Sequence, residues 1–179
     1  GTADVTAAAS WNPQLSEITK QKDTYLVFDS SKIPGEILDA LAINTATLKA
    51  HPELAKALTG AWFETLAVMS KNDATAIAAK TTMAQLSGTD LPGYEAQLKT
   101  TKMFYTPKEN LDFTTAPALV TSNDMVRKFS FDHALLGATA TSVDVIGIEF
   151  PGGKVLGDAK NIKLRFDATY IQLAAEGKL

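Results

Sequence analysis

Three short apolar runs in the first 45 residues constrain this chain more than any other feature: Val5 to Ser10, Thr24 to Phe28 and Ile37 to Ile43. The second, TYLVF, ends at Asp29-Ser30-Ser31, and the third ends at Asn44-Thr45. Apolar runs of this length, closed by polar turn formers, read as strands. A helix is predicted between the first two, from Pro13 to Gln21, because proline suits the first helical position and Asn12 before it can cap. Ile33-Pro34-Gly35 then breaks the chain. Alternating strand and helix predicts an α/β fold. Yet so few strands make a poor parallel sheet, which usually has both faces covered. The sheet therefore reads as incomplete, as if its first strands belonged to chain not present here.

Helices are expected to dominate the remainder. His51, Pro52 and Glu53 form a helix start, with Pro52 at the first position and Glu53 at the positive end. Leu54, Leu58, Ala61, Trp62, Leu66 and Met69 follow at three- and four-residue steps, one buried face that places Trp62 in the core. Asp73 to Leu86 is predicted as a helix closed by Gly88, and Pro92 opens a shorter one through Leu98. Met103 to Tyr105 reads as a short strand and Pro107 to Thr115 as loop. Ser122 or Asn123 caps a helix that turns Met125, Val126, Phe129 and Leu136 inward and ends at Gly137. Val143 to Phe150, the turn Pro151-Gly152-Gly153-Lys154 and Val155-Leu156 make a hairpin. Leu164 to Phe166 is expected to be extended, and Ala168 to Ala175 is a closing helix.

Several function classes are disfavoured by what the 179 residues contain. A net charge of −3 without a basic block argues against a nucleic-acid partner. The absence of cysteine removes disulfides, thiolate metal sites and a cysteine nucleophile. No apolar run is long enough to span a bilayer. The Gly-Thr start shows no signal peptide, which fits a leader already removed as well as one never present. No phosphate-binding glycine loop, H-E-x-x-H pattern, calcium loop or G-x-S-x-G elbow occurs. Asp132 and His133 are neighbours on a helix and point in different directions. His133 also falls four residues after Phe129, on the apolar side, as a half-buried structural histidine would. With no acid, base and nucleophile set, no enzyme, cofactor or metal is expected.

The candidate ligand site is Ser10, Trp11 and Asn12, where the first strand meets the first helix. Ligands of open α/β sheets bind at carboxyl ends of strands, and helix starts offer free N–H groups. An aromatic plate flanked by polar side chains suits a small polar ligand; the alternative is a core tryptophan at a strand end. A second candidate is Gly35 and Glu36, after Pro34. Here a carboxylate would suit a cationic or hydrogen-bond-donating ligand; the alternative is an ordinary connection.

The segments GTADVTAAASWNPQLSEI, YLVFDSSKIPGEILDALAIN and HPELAKALTGAWFETL resemble the second half of periplasmic substrate-binding proteins of ABC importers, of the nitrate/sulfonate/taurine type. FSFDHALLG, VDVIGIEFPGGKVLGD and LRFDATYIQLAAEGKL are similar to its branch associated with urea-carboxylase operons. The resemblance implies a type II periplasmic-binding-protein-like lobe, incomplete, with a helix-rich C-terminal portion. It implies that residues 1–30 end the second lobe and residues 31–179 return to the first. The front half of the family's proteins has no counterpart here. By the same resemblance, Trp11, Asn12 and Pro13 line the cleft between the lobes, and Pro34, Gly35 and Glu36 enter the returning strand.

The expected function is thus solute capture for an ABC-type importer, in the periplasm or anchored outside the membrane, with a membrane permease as partner. The solute is a small polar nitrogen compound, such as a urea- or guanidine-like molecule, or an oxyanion such as a sulfonate. A second copy or another chain is expected to cover the open sheet edge. The alternatives are an enzyme on the same lobe architecture, betrayed by His133 facing the Trp11 pocket with a serine or carboxylate in reach, and a non-catalytic interaction module, betrayed by an apolar patch at Trp11.

Overall fold

A computed structural model describes residues 5–179; Gly1 to Asp4, where the resemblance begins, lie outside the described residues. The chain is half helical with a small three-stranded sheet, a mixed helix-and-sheet protein compatible with the α/β class. In chain order its helices are α1 (Gln14–Thr19), α2 (Thr45–Ala50), α3 (Glu53–Met69), α4 (Ala74–Leu86), α5 (Leu91–Leu98), α6 (Pro107–Thr115), α7 (Pro117–Asp132) and α8 (Thr169–Ala175). The strands are β1 (Gly147–Glu149), β2 (Val155–Leu156) and β3 (Ile162–Arg165), with single 3-10 turns at Ser30–Lys32 and Pro151–Gly153. The chain divides into two compact units, Gly1–Lys32 with Val68–Met103, and Ile33–Ala67 with Phe104–Leu179.

The first unit is built on α4 and α5. Ala76, Lys80 and Ala84 recur every four residues along α4 and are its buried stripe. Asp73 caps α4 by accepting from the Ala76 N–H, and Asp90 caps α5 by accepting from the Gly93 N–H. Lys80 is an unusual member of such a stripe. Only 5% exposed, its ammonium reaches Glu95 on α5 at 2.9 Å. Its carbon stem fills space that an aliphatic side chain would occupy. Glu95→Ala should therefore cost about 1–3 kcal/mol by leaving a buried ammonium unpaired. Lys80→Met should be close to neutral, since a buried ion pair often does no better than an apolar replacement. Urea unfolding of both variants checks the contrast; equal losses would count against it.

The second unit holds the sheet. Strand order is β2-β1-β3, with β2 antiparallel and β3 parallel to β1. The expected hairpin is present, with Ile148 opposite Leu156 and Glu149 opposite Val155. Arg165 on β3 reaches Glu149 across the ladder at 2.7 Å. Beneath the sheet Leu119, Ile148 and Phe150 form the core cluster, with Leu38, Phe113, Val120, Leu156 and Phe166 packed against it. Phe150 stacks on Phe166 with centroids 5.2 Å apart.

Several local expectations are corrected. None of Val5–Ser10, Thr24–Phe28, Ile37–Ile43 or Met103–Tyr105 is a strand. β-propensity reflects fit to neighbouring strands, and an apolar run with no ladder partner has no ladder to join whatever its composition. The first helix spans Gln14–Thr19, and Pro13, not Asn12, occupies its N-cap position without a side-chain cap. Asn44, expected to end a strand, caps α2 by accepting from the Ala46 and Thr47 N–H groups. The loop expected at Pro107–Thr115 is α6, opened by a capping box between Thr106 and Glu109. Helix α7 starts at Pro117 instead of near Ser122 and stops at Asp132. Trp62 is 43% exposed, and Met125, Val126 and Phe129 are 49%, 40% and 57% exposed, where all were expected to face inward. The stripe on α3 that is buried runs through Ala55, Phe63, Leu66 and Met69. His133 is exposed, stacked on Phe129 at 3.9 Å, instead of half-buried.

Candidate functional site

The predicted residues fall into two groups, one in each unit. In the first unit, Trp11 leads into α1 and is 78% exposed. That excludes the core-tryptophan alternative. The Asn12–Pro13 peptide is cis. Ser10, half-buried, donates its hydroxyl to the Trp11 carbonyl at 3.3 Å. The Asn12 carboxamide does not cap α1. Its oxygen accepts from the Ser16 hydroxyl at 2.7 Å, and its nitrogen donates to the Thr100 hydroxyl at 3.5 Å. Thr100 in turn donates to the Gln97 carbonyl at 2.7 Å. Ser16, Asn12 and Thr100 thus form a chain of polar side chains that starts at the residue after the exposed Trp11. It ties the α1 corner to the end of α5, across 88 residues of sequence. Nothing local in the sequence marks Thr100 for this place; Ser16, four residues after Asn12, is within reach of a helical-spacing argument.

In the second unit, Pro34, Gly35 and Glu36 form a turn in which the Glu36 N–H donates to the Ile33 carbonyl at 3.3 Å. Gly35 has φ +84°, and the position a β-carbon would take lies 3.7 Å from Ser122 Oγ and 3.8 Å from Phe113. The turn therefore lies over α6 and α7, with Glu36 half-buried.

The main charged cluster lies elsewhere. Arg127, 15% exposed, reaches Asp124 at 2.7 Å and Asp144 at 2.6 Å and also donates to the Val143 carbonyl. Burial disfavours its charge, but the hydrogen bonds to Asp144 and Asp124 outweigh this and raise its pKa. Asp124 is held below its ordinary range, first by the hydrogen bond from Lys128 and then by that from Arg127. The cluster ties α7 to the segment entering β1, which is a structural task.

A shallow recess of about 460 Å³ lies along α3, where Lys56, Gly60 and Glu64 face Leu179; it includes none of the predicted ligand residues. Among the described residues no group of three acidic or histidine side chains is arranged to hold a metal ion. No described helix is long and apolar enough to cross a membrane. Comparison with protein-family models, curated proteins and solved structures gives no match to this chain.

Proposed function

We propose that the chain binds a small polar solute at the Ser10–Trp11–Asn12 corner, as part of the solute-binding component of an ABC-type importer. The observation that carries the reading is the exposed indole of Trp11, followed directly by Asn12, whose carboxamide is held by Ser16 and Thr100. A flat apolar plate with fixed amide and hydroxyl groups at its rim is how small polar molecules are oriented in binding sites. The sequence resemblance supports the rest of the reading: a type II periplasmic-binding-protein-like lobe divided near residue 30, a permease partner, and a periplasmic or membrane-anchored extracellular location. Urea- and guanidine-like compounds fit the amide and hydroxyl groups, and sulfonates are the other class. No chemistry is assigned to the chain. Gly35 and Glu36 form a separate candidate contact in the second unit.

Thermal-shift measurements with urea, guanidinium and taurine test this. A ligand at 100 times its dissociation constant adds about 2.7 kcal/mol of stability. In a chain of this size that moves Tm by roughly 5–10 °C. Trp11→Ala should abolish the shift and leave the unliganded Tm unchanged, because the indole is mostly in solvent. No shift with any of the probes, or an undiminished shift in the variant, would remove Trp11 from the site.

The reading as an interaction module is favoured by a different observation: Tyr25, Leu26, Val27 and Phe28 are 85%, 56%, 96% and 59% exposed.

A further inference from the structure

The hydroxyls of Ser10, Ser16 and Thr100 each have their one proton committed to a protein oxygen. Ser10 donates to the Trp11 carbonyl, Ser16 to the Asn12 side-chain oxygen and Thr100 to the Gln97 carbonyl. A hydroxyl in that state offers a newcomer lone pairs and no donor. Thr100 matters most, because its proton decides which way the Asn12 carboxamide lies. As it stands, the carboxamide nitrogen donates to Thr100 at 3.5 Å and its oxygen accepts from Ser16 at 2.7 Å. Turned over, it would set its oxygen against a Thr100 oxygen with no proton to give, so the network permits one orientation. The free valences toward a ligand follow. The three hydroxyl oxygens and the Asn12 oxygen each keep a lone pair, against one remaining Asn12 N–H and the Trp11 indole N–H. Lys99, next to Thr100 in sequence, is exposed, and a cation in open water adds little to the binding of an anion.

Resting on the solute reading above and narrowing it to one of its two classes, we propose that the corner selects solutes that donate hydrogen bonds and rejects oxyanions. Thr100 is the positioning residue that sets this preference, through Asn12. A neutral or cationic N–H compound of the urea or guanidine type meets the lone pairs with donors. An oxyanion meets them with more lone pairs, and it could be received only after a hydroxyl gave up its present bond. Groups that an analogue leaves unpaired are what makes a polar site discriminate.

The test is a set of thermal-shift titrations of the full chain with urea, guanidinium chloride and sodium methanesulfonate, an oxyanion that carries no N–H, all at matched ionic strength. Urea and guanidinium are expected to bind at least roughly tenfold more tightly than methanesulfonate. Thr100→Val keeps the shape, removes the oxygen and frees the carboxamide. It should weaken urea and guanidinium binding roughly fivefold to tenfold, the net worth of about one hydrogen bond, and narrow their lead over methanesulfonate. Thr100→Ser keeps the hydroxyl and should restore both. Position 100 is exposed, so the unliganded Tm of either variant should stay close to that of the parent chain. Methanesulfonate binding as tightly as urea and guanidinium, with a shift that Trp11→Ala abolishes, overturns the inference and leaves the solute reading standing. Urea and guanidinium binding that Thr100→Val leaves unchanged, or that Thr100→Ser fails to restore, overturns the role of Thr100. No shift with any of the three, or shifts that Trp11→Ala leaves intact, overturn the solute reading and the inference together.

Discussion

Phe150→Ala is expected to cost about 3–5 kcal/mol, the usual price of removing a fully enclosed aromatic ring. Phe150 is 3% exposed, packs with Leu119 and Ile148, and stacks on Phe166. It also sits where β1 runs into the turn, its N–H donating to the Lys154 carbonyl at 2.8 Å. Truncation leaves a void between α7 and the sheet that neighbouring rigid elements cannot close. Urea unfolding, with hydrogen exchange at β1 amides as the local probe, measures the loss. The same truncation at Val27 should change stability by less than about 0.5 kcal/mol. A Phe150→Ala loss below about 1 kcal/mol would show that the cluster is not the core of its unit.

Gly157→Ala should destabilise the same unit by a different mechanism. Gly157 follows β2 with φ +78°, a conformation that costs an L-residue about 1–2 kcal/mol. A β-carbon there would run into the Ile146 carbonyl and lie 3.6 Å from the Arg127 guanidinium. The next residue holds that approach in place: the Asp158 N–H donates to the Asp144 and Ile146 carbonyls at 3.1 and 3.3 Å. Overpacking of this kind adds a further 1–3 kcal/mol or so, for a total of about 2–5 kcal/mol. The loss should appear in the urea midpoint and as faster exchange at Gly147 and Ile148. Gly152→Ala is the control: it shares the positive φ but meets nothing within 4 Å, so it should lose only the conformational part. Equal losses at both positions would sink the steric half of the argument.

The helices were largely legible because their signals are local. The helix closed by Gly88 and the hairpin around Pro151–Gly153 need only a few consecutive residues to act. Two helices have no counterpart in the expected elements: α2, whose cap Asn44 reads as a strand end, and α6, whose signal is the capping box Thr106-Pro107-Lys108-Glu109 and not an apolar stripe. The apolar residues of α7 depart from expectation for a different reason. A 3.6-residue stripe says that one face is apolar, and Met125, Val126 and Phe129 do share a face; whether that face is covered depends on what is packed there. In the candidate site, the exposure of Trp11 follows from no local pattern. The partner of Asn12 is a threonine 88 residues away, chosen by the path of the chain after α5.

The amino-acid sequence by itself determined the Pro151–Gly153 turn and the mixed helix-and-sheet class, because those depend on dihedral preferences and patterns within a few residues. Tertiary structure decided which of the apolar runs with strand-like composition failed to become strands. Gly147–Glu149 is short and only modestly apolar, yet it is a central strand, because β2 and β3 satisfy both of its edges. Tyr25–Phe28 has the stronger β composition and is no strand, because no described neighbour completes its ladder. A strand is a relation between segments, and a side-chain pattern supplies only one side of it.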